Sequence, residues 1–576
     1  VETGKKGRKK EPELPIYQGR GGEWRLTTAE RKRILLNNIY GVDIDRQAVE
    51  AAKLSLLLKV LEGENDETIS KQLTLFQERA LPDLNNNIKC GNSLIGWDIL
   101  KDYPGLTQEE IDRINPFDWE KEFPAIFERG GFDVVIGNPP YIRMEVFKEI
   151  KKYLKNNFVS HSERADIYVY FIEKCHKILK EHGRFGMIVS NKFLRSNYGG
   201  PIREFIRLNA KVERIVDFAG LPVFQGATVR TIILLTSKEH TMGPISYSPP
   251  MSIDSFDSLQ RSALSVEQVI EKTTYEVDPM VLSELTWSFA KLEENQLLSK
   301  IQARCQPLIL YCSGQICRGI VSGLTDAFVI DEEQRDKILK ANPDALEIIK
   351  PFLKGRDIRR YNIEPKSAYL IYTYHGIDMR KYPSVLEYLR QFRDRLLNRA
   401  TKQEWYELQQ PQYNYLKYFD NPKILFPDIA IRPRFTIDEL GYYGANTVYF
   451  IPLNDFYLLG ILNSKLGYFY FRIACAGLEG KEETYLRFFG QYLEGFPVHP
   501  IDSSDHQDIV YHQRMISLVD QMLSLNKLLK EARTPHEQTS LKRQIEATDS
   551  QIDALVYELY GLTEEEIRIV EGGLKP

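Results

Sequence analysis

The string best suited to chemistry is Asn138-Pro139-Pro140-Tyr141, directly after the apolar run FDVVIG at 132–137. Neither proline has an N–H, so neither can donate to a sheet ladder, and both resist helix. They predict a rigid, extended turn at the carboxyl end of a strand, where open α/β sheets place ligands. The turn offers an amide oxygen from Asn138, carbonyls from Pro139 and Pro140, and an aromatic face from Tyr141. Two acceptors and a flat stacking surface suit a planar ring that carries an exocyclic amino group. Such a nitrogen is a poor nucleophile, because its lone pair is delocalised into the ring. Acceptors that draw it toward tetrahedral geometry release that lone pair, which is stabilisation placed where charge develops.

The elements around this turn alternate strand and helix. Asn38–Asp45 is a short apolar run ending in acids. The stretch that follows has helical periodicity, with Val49, Ala52, Leu56 and Leu57 on one face and Gly63 as a stop. An amphipathic helix is predicted over 165–183, closed by Gly183, and buried strands over 184–190, 214–220 and 228–237. That alternation predicts a doubly wound α/β sheet for residues 1–240. Residues 241–284 are rich in Pro and Ser and read as a linker. Short, aromatic strand-like runs over 285–505 predict a separate mixed α/β domain. From 506 onward, Leu518, Met522, Leu525 and Leu529, then Ile545, Ile552, Leu555 and Leu559, repeat at helical spacing on either side of Pro535. They predict an antiparallel helical hairpin over 506–576.

Composition narrows the classes. The 576 residues are 43% hydrophobic and 27% charged, which suits several globular cores and excludes general disorder. No apolar run is long enough to span a membrane, and the first residues are too polar for a secretory signal. Six cysteines without CxxC or Cys/His zinc spacing predict no metal and a cytoplasmic setting. The net charge is −4, but residues 351–435 carry +7 and residues 501–576 carry −6. The basic middle predicts a polyanion partner, while the KKGRKK run at 5–10 reads as a solvated loop.

FDVVIGNPPY resembles the catalytic motif of S-adenosylmethionine-dependent amino methyltransferases, specifically the adenine-N6 DNA methyltransferases. Gly41-Val42-Asp43-Ile44-Asp45 resembles that family's second motif, and Cys90-Gly91-Asn92-Ser93 its third. The resemblance implies that Asp43 accepts from the ribose hydroxyls of S-adenosylmethionine and that Ile44 packs on its adenine. It places Asn92, with Ser93 beside it, near the adenine amino group. Asp45 reads instead as the cap of the next helix. Val223-Phe224-Gln225-Gly226 resembles the segment that supplies a second aromatic wall, so Phe224 would sandwich a flipped adenine with Tyr141. Residues 318–328, 351–358 and 462–465 resemble the TaqI-like specificity domain of type II restriction–modification enzymes. The motif order is similar to the gamma-type arrangement of the fused type IIG enzymes. One departure stands out: the Gly-rich first motif is missing before Asp43, and Gly19-Arg20-Gly21-Gly22 follows no apolar strand. The Rossmann-like methyltransferase sheet is therefore expected to be incomplete at its N-terminus. An N-terminal segment or a second subunit would supply that motif and any nuclease.

The expected partner is double-stranded DNA. An adenine amino group inside a duplex cannot reach the turn, so the base must be flipped out. Lys354, Arg356, Arg359, Arg360, Arg432 and Arg434 are the expected DNA contacts, some to phosphate and some to guanine edges. Two other readings stay open. The same turn serves enzymes that methylate RNA bases or a protein glutamine amide. A non-catalytic DNA-recognition subunit would also fit the missing first motif.

Overall fold

The computed structural model describes residues 15–18, 22–62, 82–142, 150–218, 221, 223–224, 230–250, 265–282, 287, 289–399, 401–479 and 484–572. The basic run at 5–10, Gly19–Gly21, Gln225 and Gly226, and residues 251–264 and 283–284 of the expected linker lie outside them. The chain divides into two compact units that part near residue 245. None of the described helices is long and apolar enough to cross a membrane.

The first unit opens with a small hairpin, β1 (Ile16–Gln18) and β2 (Trp24–Leu26), followed by α1 (Thr28–Asn38). Next come β3 (Gly41–Asp43), α2 (Arg46–Leu61) and β4 (Ile88–Cys90). Asp45 caps α2, its carboxylate accepting from the Gln47 N–H at 2.8 Å. Strands β3 and β4 form a parallel pair of their own. The main sheet has six strands, of which β5 (Phe132–Gly137), β6 (Leu179–Ser190), β7 (Lys211–Asp217) and β8 (Thr231–Ser237) run in the order β7-β8-β6-β5. Helices α3 (Tyr168–Ile178) and α4 (Gly200–Asn209) connect these strands.

Two features differ from the predicted pattern. Strand β8, a nearly continuous apolar run, inserts between β6 and β7 and runs antiparallel to both, so the sheet is mixed. Helix α3 ends at Ile178, and the residues up to Gly183 join a long strand that is irregular where it meets the start of β5. Gly183 serves this irregularity rather than a helix stop. A Cβ there would lie 2.8 Å from the Lys180 carbonyl oxygen and 3.0 Å from that of Phe132.

Among the described residues, the second unit holds three sheets of three or four strands beside two short two-stranded pairs. Strands β9 (Cys317–Arg318), β10 (Val329–Ile330), β11 (Ile349–Leu353), β12 (Ala368–Ile371) and β13 (Lys423–Pro427) come first. Strands β14 (Ile429–Ala430), β15 (Thr436–Asp438), β16 (Tyr443–Gly444) and β17 (Val448–Ile451) follow. Helices α5 (Phe456–Asn463) and α6 (Lys465–Ala474) precede β18 (Ala476–Glu479) and β19 (Thr484–Arg487). The sheets run β9-β17-β13-β15, β10-β12-β11-β16 and β14-β19-β18.

The C-terminal hairpin pairs α7 (His506–Glu531) with α8 (Pro535–Leu559). Pro535 occupies the first turn of α8, where its missing N–H costs nothing, and Thr534 and Glu537 close a capping box. The hairpin is part of the second unit's main core. Met515, Leu518, Val519, Met522, Ile552, Leu555 and Val556 pack into one cluster with Phe435, Leu459 and Phe471.

Asp553 lies on the buried side of α8, where its carboxylate accepts from the Lys465 N–H at 2.8 Å. Burial raises its pKa to about 6. The folded state therefore holds this proton more tightly than the unfolded chain does. The site's stabilising contribution is complete below the ordinary carboxylate range and is lost as pH rises toward about 6. Asp553→Asn keeps the acceptor and removes the charge. Urea denaturation should find D553N more stable than the parent at pH 7 by up to about 3 kcal/mol, with the gap closing near pH 4.

Candidate active site

Strand β5 carries the Asn-Pro-Pro-Tyr turn out of the sheet beside β6, with which it runs parallel. Pro139 is buried, while Asn138 and Pro140 are exposed. The Asn138 amide makes no hydrogen bond among the described residues, so its oxygen is available to a ligand. The turn is held at its far side. The Ile142 carbonyl accepts from the Ile167 N–H at 3.0 Å, at the threshold of α3. The Tyr141 hydroxyl donates to the Ile188 carbonyl on β6, also at 3.0 Å, which fixes its ring. Burial pushes the Tyr141 phenol up to about 12, so it stays neutral at physiological pH.

Two further aromatics face Tyr141. The Phe224 ring lies 5.6 Å away, tilted by 54°, and the Tyr168 ring 6.4 Å away, tilted by 53°. Tyr168 is wholly buried and shares a hydroxyl contact with Tyr198 at 3.3 Å. Tyr168 was not among the expected site residues. Its place at the start of the helix after the turn is the signal that would have found it. A flat ring sandwiched between Tyr141 and Phe224 needs them about 7 Å apart, two van der Waals contacts. The two rings are closed on each other, so a guest must part them.

At the ends of the β3–β4 pair the expected residues divide. One Asp43 carboxylate oxygen accepts from the Asp45 N–H at 2.8 Å, and the side chain is otherwise exposed. Ile44 beside it is 53% exposed, unusual for isoleucine and suited to covering a ring. Asn92 departs from expectation. Its amide oxygen accepts from the Leu94 and Ile95 N–H groups at 3.1 and 3.2 Å, and its amide nitrogen donates to the Ile114 carbonyl at 3.1 Å. The side chain is spent on holding its own turn. The Ser93 carbonyl accepts from the Trp119 indole at 2.9 Å, which ties down the same turn.

The expected DNA contacts divide as well. Arg356 is exposed, with no acid closer than 4.0 Å among the described residues. The Lys354 N–H donates to the Asp357 carboxylate at 2.8 Å. Arg359 pairs with Glu364 at 2.8 Å. Arg432 is exposed over the Tyr468 ring at 5.8 Å, and Arg434 is half-buried. Arg360 must be reassigned. It holds the Asp549 carboxylate of α8 with both ends of its fork, at 2.6 and 2.5 Å, and donates to the Asn463 carbonyl at 2.7 Å. A guanidinium so engaged fastens the helical hairpin and is not available to DNA.

Residues 37–224 match the Eco57I restriction-modification methylase family, and residues 350–498 match the TaqI-like C-terminal specificity domain. The chain is thus similar to an Eco57I-type methylase over one stretch and to a TaqI-like specificity domain over another. Asp43, Asn138–Tyr141 and Phe224 all fall in the methylase region, and Lys354 through Arg434 in the specificity domain. Over 95% of its length the chain is 25% identical to the type II restriction enzyme and methyltransferase RM.Eco57I of Escherichia coli, and it spans 56% of that protein. It is 24% identical to the type II methyltransferase M.BstVI of Geobacillus stearothermophilus, covering 77% of this chain and 76% of that one. Among solved structures, the type IIL restriction–modification enzyme MmeI in complex with DNA aligns over 94% of this chain and 73% of its own. The TM-score is 0.54 at 12% identity, a likeness of fold.

Proposed function

We propose that the chain transfers a methyl group from S-adenosylmethionine to N6 of an adenine flipped out of duplex DNA, within a restriction–modification or phage-defence system. The observation that carries this reading is the unengaged Asn138 amide beside a Tyr141 ring locked by Ile188. The Asn138 oxygen and a neighbouring proline carbonyl accept the two amino hydrogens and draw the nitrogen toward tetrahedral geometry. Tyr141 stacks on one face of the base, and Phe224 swings away to take the other. The exposed Asp43 carboxylate fits a vicinal diol, and exposed Ile44 fits an adenine face, so these two residues would hold the donor. S-adenosylmethionine supplies there a methyl group on a positively charged sulfur. With its amide spent, Asn92 shapes the rim, and Ser93 is left as the polar group nearest the donor from that turn. Lys354, Arg356, Arg359, Arg432 and Arg434 bind phosphates, which positions the duplex.

One specific observation favours a second, dependent reading. Strand β5 is the edge of its sheet among the described residues, with Val134 57% and Ile136 80% exposed. Among the described residues, strand β3 pairs only with β4 and not with β5. Their starts lie close, the Tyr40 ring being 6.0 Å from that of Phe132. Parallel strands are normally covered on both faces and flanked on both sides. A Gly-rich strand and turn from an N-terminal segment or subunit would complete the donor pocket between β3 and β5. The chain without it would then be a recognition fragment.

Transfer of a tritiated methyl group from S-adenosylmethionine, run in parallel on duplex DNA, RNA and a protein extract, tests the substrate class. Label in duplex DNA alone is expected. Label in RNA or protein alone would overturn the DNA reading. Phe224→Ala should weaken capture of the flipped base by roughly 10- to 100-fold, the worth of one stacked aromatic face. Fluorescence of 2-aminopurine at the target position reads this directly, and an unchanged signal would remove Phe224 from the pocket.

A further inference from the structure

Asp428 sits where the chain leaves β13 for β14. Its N–H donates to the Thr447 carbonyl and its own carbonyl accepts from the Phe488 N–H, both at 2.9 Å. The backbone is thus used on both sides, and the half-buried side chain is left over. Among the described residues its carboxylate has no side-chain hydrogen bond or ion pair; the N–H groups turned toward it are its own and that of Ile429. Burial pushes that carboxyl up, and the charges that oppose the rise are Arg487 and Arg318.

Sheet register explains why these groups meet. Ile429 pairs with Arg487 and Asp428 lies across from Phe488, so Arg487 comes toward Asp428 not across the ladder but over Phe489, whose ring lies 6.0 Å from that of Tyr449. Arg318 pairs with Tyr449, and Tyr449 with Phe426, so Arg318 approaches from two strands away. Arg318 is braced through its Nε, which donates to the Asn446 carbonyl at 3.1 Å. Arg487 lies over the Phe489 ring at 5.2 Å. The Gly355 N–H donates to the Thr447 hydroxyl at 3.1 Å, which brings exposed Arg356 to the same loop. Gly319 lets the backbone close up here, since a Cβ would lie 2.1 Å from the Ala445 carbonyl oxygen.

A carboxylate amid arginines is a poor phosphate site, because it repels the anion that the arginines attract. It is a good match for a base-pair edge. In the major groove a G·C pair shows the cytosine amino donor beside the O6 and N7 acceptors of guanine. We propose that Asp428 and Arg487 read one G·C pair of the recognition site, Asp428 accepting from cytosine N4 and Arg487 donating to guanine, with Arg318 as the positioning residue. This rests on the reading that the second unit binds duplex DNA.

The test is selection of bound duplexes from a randomised pool by the full 576-residue chain, followed by sequencing. The parent should return a consensus that contains G·C pairs. Asp428→Ala and Arg487→Ala should each relax the same single position, by roughly 10- to 100-fold in preference, and leave the other positions intact. Asp428→Asn, the conservative variant, should shift that position toward A·T, because an amide pairs with adenine N6 and N7. An unchanged consensus in all three variants, or a uniform loss of affinity without relaxation, would overturn the proposal. A parent that binds without any consensus would instead fail the underlying reading, and the proposal with it.

Discussion

Asn138→Ala should abolish methyl transfer, lowering kcat by at least about 100- to 1,000-fold, the usual cost of removing one preorganised transition-state partner. On the proposed reading, the amide oxygen accepts one of the two amino hydrogens. The proline carbonyls are fixed by the turn and cannot move to replace it. The substitution should leave folding nearly untouched. Asn138 is exposed and makes no hydrogen bond among the described residues, so its removal strips no buried partner. Affinity for duplex DNA should also stay close to that of the parent, since the basic contacts lie far along the chain. Rapid-quench methyl transfer, paired with thermal melting and filter binding, separates these quantities. A variant that loses melting temperature and activity together would point to a structural turn. One that keeps full activity would remove Asn138 from the chemistry.

The largest effect on stability is expected at Lys423 and Asp438. Both side chains are 0% exposed and meet at 2.5 Å. The ammonium also donates to the Phe419 carbonyl at 2.5 Å, and the carboxylate accepts from the Tyr442 N–H at 2.8 Å. Burial lowers the Lys423 pKa, while Asp438 opposes the fall. Asp438→Ala would leave a buried cation with carbonyl partners only. Loss of about 3–5 kcal/mol is expected, enough to unfold many domains of this size. The matched pair Lys423→Met with Asp438→Leu removes both charges and should recover most of the loss, although the Leu440 and Tyr442 N–H groups then go unmet. Denaturant titration of the single and double variants tests this. Equal destabilisation of the two would show that the loss is one of packing, not of an unpaired charge.

Local features of this fold were legible in the sequence. The turn after FDVVIG, the Asp45 cap and the apolar seam of the C-terminal hairpin each depend on residues within a few positions, and the structure forms all three. Arg360 was misread because its partner Asp549 lies 189 residues away, and no local pattern announces a pairing of that span. The local hydrogen bonds of Asn92 were hidden for a similar reason. Its amide is captured by Ile114, returning from 22 residues on. The insertion of β8 between β6 and β7 is a matter of sheet order, which strand composition does not encode. The Asp428–Arg487 neighbourhood arises from register between β14 and β19 and was equally invisible beforehand.

Nucleoside mass spectrometry on duplex DNA incubated with the chain and S-adenosylmethionine is the most direct test of the central claim. The chain should produce N6-methyladenine, either alone or once a segment carrying a Gly-rich turn is supplied in trans, and Asn138→Ala should abolish it in both settings. Methylated cytosine in place of N6-methyladenine would contradict the account. So would N6-methyladenine formed equally well by the Asn138→Ala variant.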